Sequence, residues 1–265
     1  MPYSASLGRR TSPVGSGRCV ATKHRQGATS ITRATAPSST SSKSTEELKA
    51  AVVRAVSGTQ RGKATTPQQR AAILPLLEAL EARNAVKAPV QSPLISGVWA
   101  LLYQAPLDEE RAAKDNSGTT EGPFLATFQP ATKQLVRTKA NLQLIDLEGG
   151  RAENLAEFTI AGRWEGALNI IGTAAPQPTP QGSPSPVRVD VVFQRFQLRL
   201  GGAGPWTVPL DWIQPKGWIE TTYLDDDLRI GRGDKGSIFM ASRVKGSRWR
   251  GVQGVAGGSP VPEST

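Results

Sequence analysis

The sequence predicts a mainly β chain with a helical preface: two short amphipathic α-helices, then many short strands pairing as an antiparallel barrel or sandwich. Three observations carry this. Apolar residues recur at helical spacing between residues 46 and 84. From Leu94 onward the apolar period becomes two, in short runs separated by turn residues. No helical pattern returns between those runs, which argues against alternating βαβ units. About eight to ten strands are readable by this pattern.

The preface has start and stop signals. Ser44, Thr45, Glu46 and Glu47 read as a capping box, and Leu48, Val52 and Val56 then recur at helical spacing up to a stop at Gly58. A second helix starts at Thr66, with Pro67 at its first position and Gln69 behind it, and carries Ile73, Leu77 and Leu80 on one face. Pro75 lacks an N–H for the helical ladder, so a kink is expected there. The pattern ends near Asn84, and Pro89 and Pro93 mark the passage into the strands.

In the first strand Trp99, Leu101 and Tyr103 are expected to share a face. Phe158, Ile160, Trp164, Leu168 and Ile170 form a longer even-numbered series, interrupted by Gly162 and Gly166 as bends or a tight hairpin. Val187, Val189, Val191 and Phe193 hold one phase and Phe196, Leu198 and Leu200 the other, which places a bulge or a strand boundary near Gln194. Further strands read over Phe124 to Phe128, Leu135 to Ile145, Trp218 to Leu224 and Ser237 to Val244. Three long loops are expected: Ala105 to Gly122, the Pro-rich Gly172 to Pro186, and Gly201 to Gly217. The Gly-rich residues 246–265 read as a disordered tail.

The formal charge of +10 would by itself suggest a nucleic-acid partner. Residues 1–45, however, hold no Asp or Glu and carry Arg9, Arg10, Arg18, Lys23, Arg25, Arg33 and Lys43 among dense Ser and Thr. That is the composition of a disordered transit peptide, removed on import. Removing these seven from 32 basic residues leaves 25 against 22 acidic, a net of +3 for residues 46–265. Nucleic acid therefore drops out as an expected partner. The only cysteine, Cys19, and the only histidine, His24, also lie in the leader. The remainder has no thiolate nucleophile, imidazole base or Cys/His zinc site. No apolar run approaches the roughly 20 residues that cross a bilayer as a helix, so membrane contact is expected to be peripheral. The length fits one domain over residues 46–245, with helices over 46–84 and a barrel over 94–245.

Leu94 to Tyr103 (LISGVWALLY), with its Gly97 and Trp99, resembles the opening strand of the plastid lipid-associated (fibrillin) family. Trp218 to Phe239 (WIETTYLDDDLRIGRGDKGSIF) resembles that family's C-terminal signature, and Arg61, Gly62 and the helix from Thr66 to Asn84 fit its helical preface. The resemblance covers roughly Glu46 to Val244. It implies a lipocalin-like antiparallel β-barrel preceded by two short α-helices, and a chloroplast address at plastoglobules, the thylakoid surface or the stroma. It also implies a part in isoprenoid-lipid metabolism. The Pro-rich stretch and the long loop after Tyr103 depart from the family pattern and leave the subgroup open.

An eight-stranded barrel either fills itself with side chains or holds one small ligand. The inward candidates Trp99, Leu101, Tyr103, Phe158, Ile160, Val191 and Phe193 are largely apolar. The expected ligand is a hydrophobic lipid, sequestered by burial at roughly 25 cal/mol per Å² of apolar surface, with Glu220, Tyr223 and Arg229 orienting a headgroup. Trp99 is expected to be buried, with Arg243 or Arg229 stacked on it. Trp206, Leu210, Trp212 and Ile213, in a Pro/Gly stretch, read as a lid at the mouth or a membrane-interface anchor, or else as side chains packed down on the barrel. The partners that follow are a hydrophobic lipid, a thylakoid or plastoglobule surface, and a plastid isoprenoid-lipid enzyme. No catalytic residue, metal or cofactor is assigned. Two other classes compete: an accessory protein that supports such an enzyme or coats plastoglobules without a cavity, and a barrel enzyme using Glu220, Tyr223 and Arg229 on a lipid.

Three motifs are set aside. Gly231 to Gly236 matches the dinucleotide pattern GxGxxG but lies between two strands, where it reads as a hairpin loop. Arg232, Gly233 and Asp234 form an adhesion tripeptide that has no meaning inside a plastid. Asp225, Asp226 and Asp227 read as solvated turn residues rather than ligands of a hard cation.

Overall fold

The computed structural model describes residues 44–107 and 135–256. The leader up to residue 43, the expected Phe124 to Phe128 strand, most of the first long loop and the chain beyond residue 256 lie outside the described residues.

The two helices form where their caps predict, as α1 (Thr45–Val56) and α2 (Pro67–Glu81), which runs through Pro75 as one element. Ser44 Oγ accepts from Glu47 N at 3.2 Å, and Glu47 Oε2 accepts in return from Ser44 N at 2.7 Å. Thr66 and Gln69 form the same reciprocal pair at 3.1 and 2.9 Å. Each box satisfies two backbone donors that a helix start leaves unpaired. The predicted stripes are buried in one cluster, in which Leu48, Val52, Val56, Ile73, Leu77 and Leu80 meet the sheet.

Among the described residues nine antiparallel strands follow: β1 (Gly97–Pro106), β2 (Val136–Asp146), β3 (Arg151–Ile160), β4 (Trp164–Pro178), β5 (Pro184–Leu200), β6 (Ala203–Pro209), β7 (Lys216–Leu224), β8 (Leu228–Gly233) and β9 (Ser237–Arg243). Their order is β4-β3-β2-β1-β9-β8-β7-β5-β6, and β4 also pairs with β5. Eight strands therefore close into a barrel, and β6 is an added strand. β5 makes this possible: residues 188–192 pair with β7, and residues 195–200 pair with β6.

Closure through β4 and β5 removes most of the open edge that a sheet would otherwise present, leaving β6 and the far end of β4 as edges. The helices cover one outer wall, made by β1 and β7–β9, where Tyr103, Tyr223, Leu228, Ile230, Ile238 and Met240 pack beneath them. Polar ties fix the cover. Arg232 donates to Glu81 at 3.1 and 2.6 Å, Thr222 Oγ1 donates to Glu81 at 2.6 Å, and Lys49 pairs with Asp225 at 2.9 Å.

The bulge expected near Gln194 is present: Ile171 pairs with Arg195 and Gly172 with Phe193, so Gln194 is the extra residue. Gly162 has φ of +68° in the β3–β4 turn, whereas Gly166 lies within β4 opposite Phe158, whose ring occupies the space a Cβ would need. The Gly231 to Gly236 motif forms the β8–β9 hairpin, with φ of +67° at Gly236.

Four expectations are corrected. The Pro-rich loop from Gly172 to Pro186 is mostly strand, since β4 runs to Pro178 and β5 begins at Pro184. β3 ends its pairing at Thr173, so Pro176 and Pro178 sit on a free edge where a missing N–H costs no ladder bond. The loop from Gly201 to Gly217 contains β6, another edge strand that tolerates Pro205 and Pro209. Tyr103 does not share a face with Trp99 and Leu101, because a bulge between Leu101 and Tyr103 turns it to the helix-covered wall.

The tail, finally, is folded as far as residue 256. β10 (Arg248–Trp249) and β11 (Val255–Ala256) form a small hairpin strapped across the outside of β3 and β4. Trp249 Nε1 donates to Glu153 Oε2 at 2.7 Å, and Val252 is buried against Leu155 and Ala167. Those anchors are tertiary, which is why the local composition gave no sign of them.

Candidate functional site: the barrel cavity and its apolar mouth

The closed strands enclose a cavity of about 250 Å³, walled by Leu101, Leu168, Ile170, Val191, Phe193 and Phe239. Trp99 lies at its closed end, fully buried, and its Nε1 donates to the carbonyl of Ile95 at 3.0 Å. Both expected arginines approach the indole: Arg243 stands 4.2 Å and Arg229 5.2 Å from the ring centroid. Their roles differ. Arg243 ties down the closed end by donating to the carbonyls of Ser96, at 3.0 Å, and Leu94. Gly97, at φ +145°, makes room for it, since a Cβ there would meet the Arg243 guanidinium.

Arg229 lines the cavity and is 1% exposed. Its Nη2 donates to Gln143 Oε1, and Gln143 Nε2 donates on to Asn154 Oδ1 at 2.9 Å. Phe239 lies 5.3 Å from the guanidinium. Burial first, and then the like charge of Arg243, push the Arg229 side chain down to about 9, which leaves it protonated at neutral pH. The lining is thus mostly apolar, with Arg229, Gln143 and Asn154 forming a short polar line and Gln104, Asn141, Ser237, Asp234 and Lys235 adding further polar groups.

The structure brings Trp99, Leu101, Val191, Phe193 and Arg229 together around this cavity. It does not bring the other expected ligand residues there. Tyr103 is buried beneath the helices. Tyr223 lies in the same cluster, turned outward by a bulge between Thr221 and Tyr223, and its hydroxyl donates to Asp225 Oδ2 at 2.7 Å. Glu220 accepts from Arg188 at 2.8 Å, and that guanidinium lies 4.0 Å from the Trp218 ring, outside the cavity. A headgroup triad of Glu220, Tyr223 and Arg229 is therefore not assembled. At Tyr103 and Tyr223 a bulge is the cause, because it inverts the facing of the residues beyond it, whereas Glu220 precedes the β7 bulge and is held by Arg188.

Asp225 is also committed elsewhere. It caps the β7–β8 turn by accepting from Asp227 N at 2.8 Å and Leu228 N at 2.7 Å, and it pairs with Lys49. Burial opposes its ionisation, but Lys49, Tyr223 and the two backbone donors outweigh it and hold the carboxyl below the usual carboxylate range.

Phe158 and Ile160 lie further along, at the mouth. There β2–β5 extend past the barrel and β6 widens them into an apron. Cross-strand partners share a face, and the pairs Val136 with Ile160, Ile160 with Trp164, Leu168 with Leu198, Leu198 with Trp206, and Phe196 with Val208 are all apolar. Leu168 and Phe193 belong both to the cavity wall and to this apolar cluster, so the apron face continues the interior. Towards its end the face is open to solvent: Trp164 is 59% and Trp206 49% exposed.

Beyond β6, Leu210 is buried, which removes it from the expected lid, and the turn it anchors presents Trp212 at 80% exposure with Ile213 beside it. Trp164 is the mouth residue that sequence reading did not single out. The signal was present, since Trp164 continues the phase of Phe158 and Ile160 across the hairpin.

The family model PAP_fibrillin matches residues 46–242. Plastid lipid-associated protein 3, chloroplastic, of Brassica campestris is 29% identical over 75% of this chain and 61% of its own. Plastoglobulin-1, chloroplastic, of Pisum sativum is 28% identical over 75% of this chain and 61% of its own. The chromoplast-specific carotenoid-associated protein C2 of an Oncidium hybrid cultivar is 27% identical over 73% and 68%. The chain spans about three fifths of the length of the first two curated relatives. No solved structure matches it.

Proposed function

Because the chain belongs to the PAP_fibrillin family, we propose that it is a plastid lipid-associated protein that shelters a hydrophobic lipid in its barrel and rests its mouth on a plastoglobule or thylakoid surface, without catalysing a reaction. The observation that carries this reading is the continuity of the cavity wall with the exposed apolar apron. A lipid can then pass between a lipid phase and the barrel without its chain crossing water. The volume of about 250 Å³ lies just below the usual range for small-molecule sites, about 300–1,000 Å³. A single chain suits it, and a whole carotenoid does not.

The cavity offers little for acid–base chemistry: among the described residues the one buried charged group that lines it is Arg229, which stays protonated. The carotenoid named in one relative is accordingly a candidate for surface association rather than for the cavity. A second role, as an accessory that coats plastoglobules or supports an isoprenoid-lipid enzyme, is favoured by Trp212, which stands almost free of the barrel. Mild extraction of native protein from plastids, followed by mass spectrometry, tests the reading. The expected result is one single-chain lipid per barrel. Recovery of lipid-free protein from a lipid-rich source would leave only the surface role.

A further inference from the structure

We propose that the cavity takes a single-chain lipid with an acidic end, carboxylate or phosphate, seated on Arg229 with the chain running towards the mouth. The proposal rests on the lipid-carrier reading above and adds the chemistry of the ligand. Arg229 is the reason. Its Nε and Nη1 are buried with no hydrogen-bond partner, and only Nη2 is used, on Gln143. The charged neighbour acting on it is Arg243, a like charge, and no carboxylate pairs with it among the described residues.

The two aromatic faces at 5.2 and 5.3 Å soften the guanidinium's surroundings but offer no acceptor oxygen. A buried charge with unused donors is costly unless it is paired and hydrogen-bonded. Three other arginines on the barrel strands have oxygen acceptors: Arg232 has Glu81, Arg188 has Glu220, and Arg243 has three carbonyls. Arg229 alone of these lines the cavity. An acid group there supplies both the missing acceptors and the missing charge, and charge-assisted bonds of this kind are the stronger class. Leu168 and Phe193 then line the path of the chain to the apron.

The test is calorimetric titration of the full chain with laurate, methyl laurate and dodecyl phosphate, each below its micelle concentration, in the parent and in Arg229→Met. Laurate is expected to bind the parent at least ten-fold tighter than methyl laurate, a difference of about 1.4 kcal/mol. In R229M the ratio should fall close to one. Laurate should also raise the melting temperature of the parent more than methyl laurate does, a comparison that needs no variant if R229M folds poorly. Dodecyl phosphate identifies the acid: tighter than laurate, it assigns a phosphate monoester; weaker, a fatty acid. Equal affinity of laurate and methyl laurate for the parent would overturn the proposal while leaving the lipid carrier intact, as would a ratio unchanged in R229M. If neither chain binds, the carrier reading falls first and the proposal with it.

Discussion

The helix-covered wall and the apron are made of the same residue types and treat them in opposite ways. Beneath α1 and α2, Tyr103, Ile230, Ile238 and Met240 are all 0% exposed. On the apron and the turn beyond it, Trp164, Trp206 and Trp212 remain 59%, 49% and 80% exposed. Side chains of that size bury about 150–250 Å² when covered, so leaving them open forgoes much of the available stabilisation. The comparison teaches that the fold is held by one half of the molecule, whereas the apolar surface of the other half is spare to it and available to a partner. Substitutions can break or sharpen that division.

The largest effect should come from the closed end. Trp99→Ala removes a fully buried ring, its bond to Ile95 and the surface on which Arg243 lies, and should cost about 3–5 kcal/mol. Thermal melts measure it, and a loss of under about 1 kcal/mol would mean that the closed end can collapse around the gap. Leu77→Ala, in the 0% exposed stripe of α2, should follow at about 2–5 kcal/mol. If Leu77 proved silent, the helices would be ornaments on a self-sufficient barrel, and the division between the two halves would be wrong.

Asp225 sharpens the comparison through pH. Asp225→Asn weakens bonds to Lys49, Tyr223 and two backbone donors, and should cost about 1–3 kcal/mol near neutrality. Its folded carboxyl lies below its ordinary value, so its stabilising contribution is fully present above the unfolded value near 3.8. That contribution is lost as pH falls through the depressed folded value. The stability gap between the parent and D225N should therefore be flat from about pH 5 to 7 and narrow in acid. A gap that widened in acid would assign the carboxyl the opposite shift.

Much of this was legible in the sequence because it is written locally. The capping boxes at Ser44 and Thr66, the phase switch at Gln194 and the hairpin at Gly231 to Gly236 each depend on a few adjacent residues, and each is where its pattern puts it. The site was half legible. Alternation placed Trp99, Leu101, Val191 and Phe193 inward correctly, but it carried Tyr103 and Tyr223 to the wrong face because an extra residue in one strand leaves no mark on composition. Proline concealed the ends of β4 and β5 and the whole of β6, since it is read as a breaker although a free edge tolerates it. The strap at Trp249 and Val252 was invisible for another reason: its partners, Glu153, Leu155 and Ala167, are some ninety residues away in sequence.

The smallest effect on stability, and the largest on association, should come from the apron. Trp206→Ser with Trp212→Ser removes side chains that are half or mostly in water, so the melting transition should move by no more than about 1 kcal/mol in total. Binding to vesicles of plastid polar lipids should instead weaken about ten-fold or more, at about 1.4 kcal/mol per ten-fold, and the blue shift of indole emission on adding vesicles should shrink. Adding Trp164→Ser should deepen the loss, because Trp164 and Trp206 flank the same apolar face. The control is Arg248→Ser with Arg250→Ser, on the exposed strap on the outer side of the barrel. A net charge of +3 over residues 46–265 leaves long-range attraction small at physiological salt, where the Debye length is about 8 Å. The strap variant should therefore bind vesicles as the parent does. Loss of binding in the strap variant with full binding in the apron variant would invert the comparison, making the basic strap the anchor. Unchanged binding in both would move the exposed tryptophans from a lipid surface to a protein partner.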